Sequence, residues 1–205
     1  MHWAVRSRDI RTRRPGAAAW AWTREPALFR SSLDAATTLY QALGDVGGVA
    51  NCRDIEAMAL RITGHPLEAL ALYEQNLSLG ESVRLPEAVS VTWSGVGAVR
   101  LGQGDLDGCQ RAWYRALALA QQSGIRGLEA TVLGNLGGWH ANVCNFEEGE
   151  RLCRRGFEIA AQHGTPQTWM NCGMNLVASL NSQGRHREAW EVAAQILARE
   201  PEIPA

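Results

Sequence analysis

Lysine is missing altogether from these 205 residues, and all 20 basic side chains are arginine. Function seldom forbids lysine at every position, so the absence is read as the coding bias of a GC-rich, bacterial genome. Cysteine is scarce and odd in number. Cys52, Cys109, Cys144, Cys153 and Cys172 show no C-x-x-C spacing, so they signal neither a disulfide framework nor a zinc knuckle, and they fit a reducing cytoplasm. No apolar run approaches the roughly 18 to 20 residues of a membrane helix, and no transmembrane span is expected. The cluster GDVGG at 44–48 lacks the Lys-Ser or Lys-Thr and the preceding strand of a phosphate-binding loop. What is present is a near-neutral chain, net charge −1 with 46% hydrophobic residues, long enough to bury a core without staples.

Charge is unevenly placed. Residues 1–30 hold seven arginines against Asp9 and Glu25, whereas the remainder holds thirteen arginines against nineteen acids. Residues 1–25 are therefore expected to form a basic, disordered segment. Arg6, Arg8, Arg11, Arg13 and Arg14 are followed by no aromatic stacking pattern and no DNA-binding helix pair, which disfavours a nucleic-acid arm. The apolar stretch after Arg13-Arg14 stops at Thr23-Arg24-Glu25, too soon for an export signal.

From residue 26 to 205 the chain repeats itself. ITGHPLEAL, LGQGDLDGC, NVCNFEEGE and NSQGRHREA recur with a period of 40 residues. Gly64, Gly104, Cys144 and Gly184 occupy one column. Ala69, Cys109, Gly149 and Ala189 form a second, uniformly small one; Tyr73, Trp113, Cys153 and Ala193 a third; and Leu77, Leu117, Phe157 and Leu197 a fourth. Spacings of four between apolar positions place them one above another on a helix face. The stretch before each turn, with Ala57, Gly97, Gly137 and Val177, is a second helix packed closely on the first. The pattern predicts paired helices at 48–63 and 66–80, 87–103 and 106–122, 127–143 and 146–162, and 167–183 and 186–199. One further helix, 26–43, forms an N-terminal half-repeat. Gly80, Gly124 and Gly164 are expected to punctuate the units, and Pro66, Pro86, Pro166 and Pro201 to mark helix starts or stops.

A small residue, then Gly-x-x-x-x-Ala, then an aromatic four positions on, resembles the tetratricopeptide repeat (TPR); LGNLGG at 133–138 followed by CNFEEG at 144–149 is the nearest local match. The period of 40 is similar to the longer-helix variants of bacterial signalling ATPases, LuxR-type regulators and kinesin light chains. The family's tryptophan column survives only as Trp93, standing as Arg53, Leu133 and Gly173 elsewhere. The resemblance implies an all-α fold, a right-handed α-solenoid of antiparallel helix pairs in which the first helix of each pair lines a concave face.

That register selects the site. Inner columns contain Asn51, Asn171, Asp54, Met174 and Asn181, with Asn135, Asn142 and Asn175 beside them. An asparagine amide both donates and accepts, so a ladder of them can hold the backbone of an extended peptide. Trp139, Trp169 and Trp190 are candidate interface aromatics. A non-catalytic scaffold that binds a protein or peptide follows, with no cofactor, metal, nucleic acid or membrane. Homodimerisation through the last helix, or a place as the regulatory or self-assembly region of a signalling ATPase or LuxR-type regulator, is the alternative. An enzyme is disfavoured: His140 and Cys144 stand four apart, but nothing is spaced to orient the imidazole. The run Glu147, Glu148, Glu150 opens a helix, where carboxylates favour the positive dipole end.

Overall fold

The computed structural model describes residues 25–198, leaving 1–24 and 199–205 aside. The expected basic segment, all but Glu25, and Pro201 lie outside the described residues. Among those described, the chain is helical throughout: α1 Pro26–Ala42, α2 Val46–Ile62, α3 Pro66–Ser82, α4 Pro86–Gly102, α5 Leu106–Gln122, α6 Arg126–Asn142, α7 Phe146–His163, α8 Pro166–Ser182 and α9 His186–Ala198. The bounds read from the repeat pattern fall within two residues of these. The largest shifts have local causes. α2 begins two residues early because Asp45 accepts a hydrogen bond from the Gly48 amide at 2.9 Å and so caps the helix ahead of the glycine pair. Gly80, expected as punctuation, lies inside α3, where a Cβ would come within 2.7 Å of the Val89 side chain.

Proline at the first turn starts α1, α3, α4 and α8, where the missing amide hydrogen costs nothing. Most helices run 17 residues and end in a three-residue turn whose middle position has a positive φ: Gly44, Gly64, Arg84, Gly104, Gly124, Cys144 and Gly184. Only glycine adopts that conformation freely. The beat is broken once, after the 18-residue α7, where Gly164 is extended and the Thr165 hydroxyl caps α8.

The chain divides at Asp105 and Leu106 into two compact units. In the first, α2 packs on α1, α3 and α4, and α3 packs on α4. Ala36, Tyr40, Val49 and Cys52 form a buried cluster, with Leu33 and Leu79 against it. Aromatic rings lie directly over glycines: a Cβ on Gly48 would overlap the Tyr40 ring at 2.2 Å, and one on Gly95 would overlap Tyr73 at 2.4 Å. Each glycine thus clears space for a ring whose burial contributes on the order of 2 kcal/mol.

In the second unit α6 packs on α5, α7 and α8, and α8 packs on α7 and α9. Cys153, Leu176, Leu180, Ala189 and Val192 form a buried cluster there, flanked by Phe157, Val177 and Ile196. The crossing of α6 with α7 is backbone-close, since a Cβ on Gly137 would meet the Cys153 sulfur at 2.2 Å and the Gly149 carbonyl at 2.9 Å. The Glu129 carboxylate, 1% exposed, ties three helices together: it accepts from Gln121 of α5 at 3.1 Å, Arg126 of α6 at 2.7 Å and Arg155 of α7 at 2.6 Å. A buried charge held this way is satisfied rather than reactive.

Candidate functional site

In the first unit the capped start of α2 and the start of α4 enclose a cavity of about 310 Å³. Gly47 and Gly48 supply wall from the first turn of α2, and Asn51 and Asp54 follow on the same face, one turn apart. α4 contributes Glu87, Ala88 and Val91, preceded by Leu85. The site therefore takes its shape from the Asp45 cap and the Pro86 start.

Asp54 is 8% exposed. Its Oδ1 accepts from Asn76 Nδ2 at 3.0 Å and from Thr92 Oγ1 at 2.9 Å. Asn76 Nδ2 also lies 2.9 Å from the Ala50 carbonyl and 3.1 Å from Thr92 Oγ1, and Thr92 Oγ1 lies 2.9 Å from the Ala88 carbonyl. One amide thereby joins α2, α3 and α4, while its own Oδ1 is buried with no partner. Burial pushes the Asp54 carboxyl up to about 7, and the hydrogen bonds from Thr92 and Asn76 only partly oppose this. Burial, and then the Asp54 charge, also raises the Tyr73 phenol. Asn51 and Glu87, by contrast, make no side-chain hydrogen bond or ion pair among the described residues. The cavity thus offers two carboxyls and a free amide, and no basic group lines it.

The other expected residues lie in the second unit. Asn135 and Asn142 are two turns apart on α6; Asn135 is half-buried and Asn142 exposed. On α8 the Asn175 amide donates to the Gly134 carbonyl at 3.0 Å, so it staples α8 to α6 instead of standing free. Gly138 makes room for that amide, since a Cβ there would sit 3.0 Å from Asn175 Nδ2. Asn171 accepts from Gln167 at 2.9 Å, Asn181 pairs with His186 at 3.1 Å, and both are exposed, as is Met174. The expected residues therefore fall into two sets, Asn51 with Asp54 and the remaining six.

Two of the three candidate aromatics are buried. Trp139 is 7% exposed and edge-on to His140, with ring centroids 4.8 Å apart; Trp169 is 6% exposed and stacked on Phe157 at 4.8 Å. Both fill helix seams because their positions face the neighbouring helix. Trp190 alone of the three is exposed, at 71%. His140 faces Tyr114 Oη at 3.1 Å through one ring nitrogen and Asn145 Nδ2 at 3.2 Å through the other, and burial lowers its pKa. Cys144 sits exposed in the turn, and His140 has no nitrogen left to activate it. Among the described residues no group of three His, Cys, Asp or Glu could hold a metal ion, and no helix is long and apolar enough to cross a membrane.

Asn76, Thr92 and Glu87 were missed from sequence. Asn76 falls between Tyr73 and Leu77 on the buried face of its helix, and a polar residue on an apolar stripe is the signal that marks it. Glu87 follows Pro86 and reads as an ordinary acid at a helix start.

No family model matches the sequence, and no curated protein matches it. Similarity appears among solved structures. BtubC (BKLC) from P. vanneervenii is 15% identical, with 96% of this chain and 91% of that one covered and a TM-score of 0.67. A Podosopora anserina kinesin light chain structure with nearly identical TPR-like repeats is 14% identical, covering 88% of this chain and 99% of that one, with a TM-score of 0.59. A Rap protein complexed with competence and sporulation factor is 12% identical, covering 91% of this chain and 62% of that one, with a TM-score of 0.61. At such identities the likeness speaks to architecture: the chain has an all-α fold of tandem helix pairs, the TPR-like α-solenoid.

Proposed function

We propose that this chain is a non-catalytic scaffold that binds a protein or peptide segment along the faces of its first helices. The observation that carries the reading is the set of polar groups left without structural work there. Asn51 and Glu87 line the α2–α4 cavity with no side-chain hydrogen bond or ion pair among the described residues, and Asn142 stands exposed and equally unpaired in the second unit. Buried or lining polar groups are normally hydrogen-bonded, so unpaired ones suit a ligand that brings its own donors and acceptors. The Rap neighbour, seen with a bound factor, gives the reading a precedent in the same fold. Cytoplasmic location and absence of nucleic-acid or membrane partners belong to the same proposal.

The test is panning of a random-peptide display library against the chain, followed by fluorescence anisotropy of the recovered peptides. Convergent sequences whose binding weakens by about tenfold on Asn51→Ala or on Asn171→Ala with Asn181→Ala are expected, the scale of one or two lost hydrogen bonds. Failure to recover any convergent peptide would sink the scaffold reading.

A second reading, a self-assembling or regulatory repeat region, is favoured by α9, where Trp190 and Leu197 are 71% and 60% exposed. It requires sedimentation to depend on concentration and to revert to a single monomer on Trp190→Glu. A wild-type chain that already sediments as a monomer at all concentrations removes it.

A further inference from the structure

We propose that the α2–α4 cavity is a subsite for one cationic side chain, arginine or lysine, of a bound peptide, with Asp54 and Glu87 as its counter-charges and Asn51 serving the adjacent peptide backbone. The inference deepens the scaffold reading and rests on it.

Four observations converge. First, the lining brings two carboxyls together and contains no arginine. Second, the two carboxyls differ in how they are held. Asp54 is fixed by hydrogen bonds from two neighbouring helices, while Glu87 is unpartnered among the described residues. That combination gives a rigid anchor with an adjustable arm, which suits a guanidinium or ammonium entering from solvent. Third, Asp54 carries the cost of burial without a cation from its own chain. An ionised carboxylate in such a place is expensive until an opposite charge joins it, so a cationic ligand gains what the free protein lacks. Arg61 of the same helix makes no ion pair with Asp54 among the described residues. Fourth, about 310 Å³ lies at the lower end of ligand-pocket volumes, which suits one side chain and not a folded partner. Leu85, Ala88 and Val91 form the apolar wall that the methylene stem of arginine or lysine would cover.

The contrast with Glu129 is instructive. That carboxylate is buried more deeply, yet Arg126 and Arg155 answer it within the chain. Asp54 is a buried acid that faces an opening and has no such answer.

The test has two arms. In the first, each arginine or lysine of a recovered peptide is replaced by citrulline or norleucine, and affinities are measured by anisotropy against wild type, Asp54→Asn and Glu87→Gln. One position is expected to cost about tenfold with wild type, as for loss of a charge-assisted hydrogen bond, and to cost little more with Asp54→Asn. Glu87→Gln should give an intermediate loss; it sits at the rim, so folding is not at stake. In the second arm N-acetyl-arginine methylamide is titrated while the amide resonances of Gly47, Gly48 and Ala88 are followed by NMR. Saturable shifts in wild type, abolished in Asp54→Asn, support the subsite even if no peptide is recovered, in which case the scaffold reading fails alone. Peptides that bind regardless of their basic residues overturn the subsite and leave the scaffold standing. No recovered peptide and no amide shifts overturn both.

Discussion

Asp54 couples the stability of the first unit to pH in a direction opposite to that of most acids. Its carboxyl titrates at about 7 in the folded chain against roughly 4 when unfolded. Between those values the folded state keeps a proton that the unfolded state has released, so stability falls as pH rises through that window and is level above it. Glu148 and Glu188 behave conversely: hydrogen bonds from Arg151 and Arg185 hold them below the usual range, and their contribution is lost as pH falls. Asp54→Asn keeps the shape and removes the charge. It is expected to stabilise the chain at pH 8 by a few kcal/mol, at about 1.4 kcal/mol per pKa unit, with the advantage gone near pH 4. Urea unfolding of wild type and variant across that range measures it, and an unchanged difference between pH 4 and pH 8 contradicts it.

At the scale of elements, the turns carry the clearest stress. Arg84 and Cys144 hold φ of 54° and 60°, where five other turns place glycine. A residue with a Cβ costs about 1 to 2 kcal/mol in that region, less what glycine concedes through its looser unfolded chain. Cys144→Gly is therefore expected to raise stability by about 1 kcal/mol, read as a shift in the urea midpoint at constant slope. Cys144 is exposed, so no packing loss offsets the gain; a fall in the midpoint would show that the thiol makes a contact that matters. Helix bounds were legible in the sequence because most elements have their own stop, a positive-φ turn, and several their own start, a proline. Gly80 misled for a physical reason: a glycine in a close crossing and a glycine in a turn look alike as letters, and only the Val89 side chain beside it tells them apart.

At the scale of the molecule, the forty-residue period revealed the architecture although no family model recognises the chain, because a period survives when individual motifs decay. The candidate site was only half legible. Asn51 and Asp54 lay in columns that the repeat register selects, whereas Asn76 and Thr92 belong to other columns and reach Asp54 only through the packing of three helices. Trp139 and Trp169 could line a surface or a helix seam as far as the sequence goes, because tryptophan count says nothing about which seam a ring fills; both fill seams. Asn175 shows the same limit from the other side, since its amide is spent on Gly134.

Except at Gly164, the positive-φ turns fall every twenty residues while the sequence repeats every forty. The backbone thus has a smaller unit than the gene. Adding or losing one helix and its turn would keep the common helix length and turn geometry, yet it would exchange the first helix of each pair for the second and bring apolar stripes out to water. Duplication can therefore lengthen such a chain safely only in whole pairs, and the forty-residue spacing is the shortest step by which the protein could have grown without turning itself inside out.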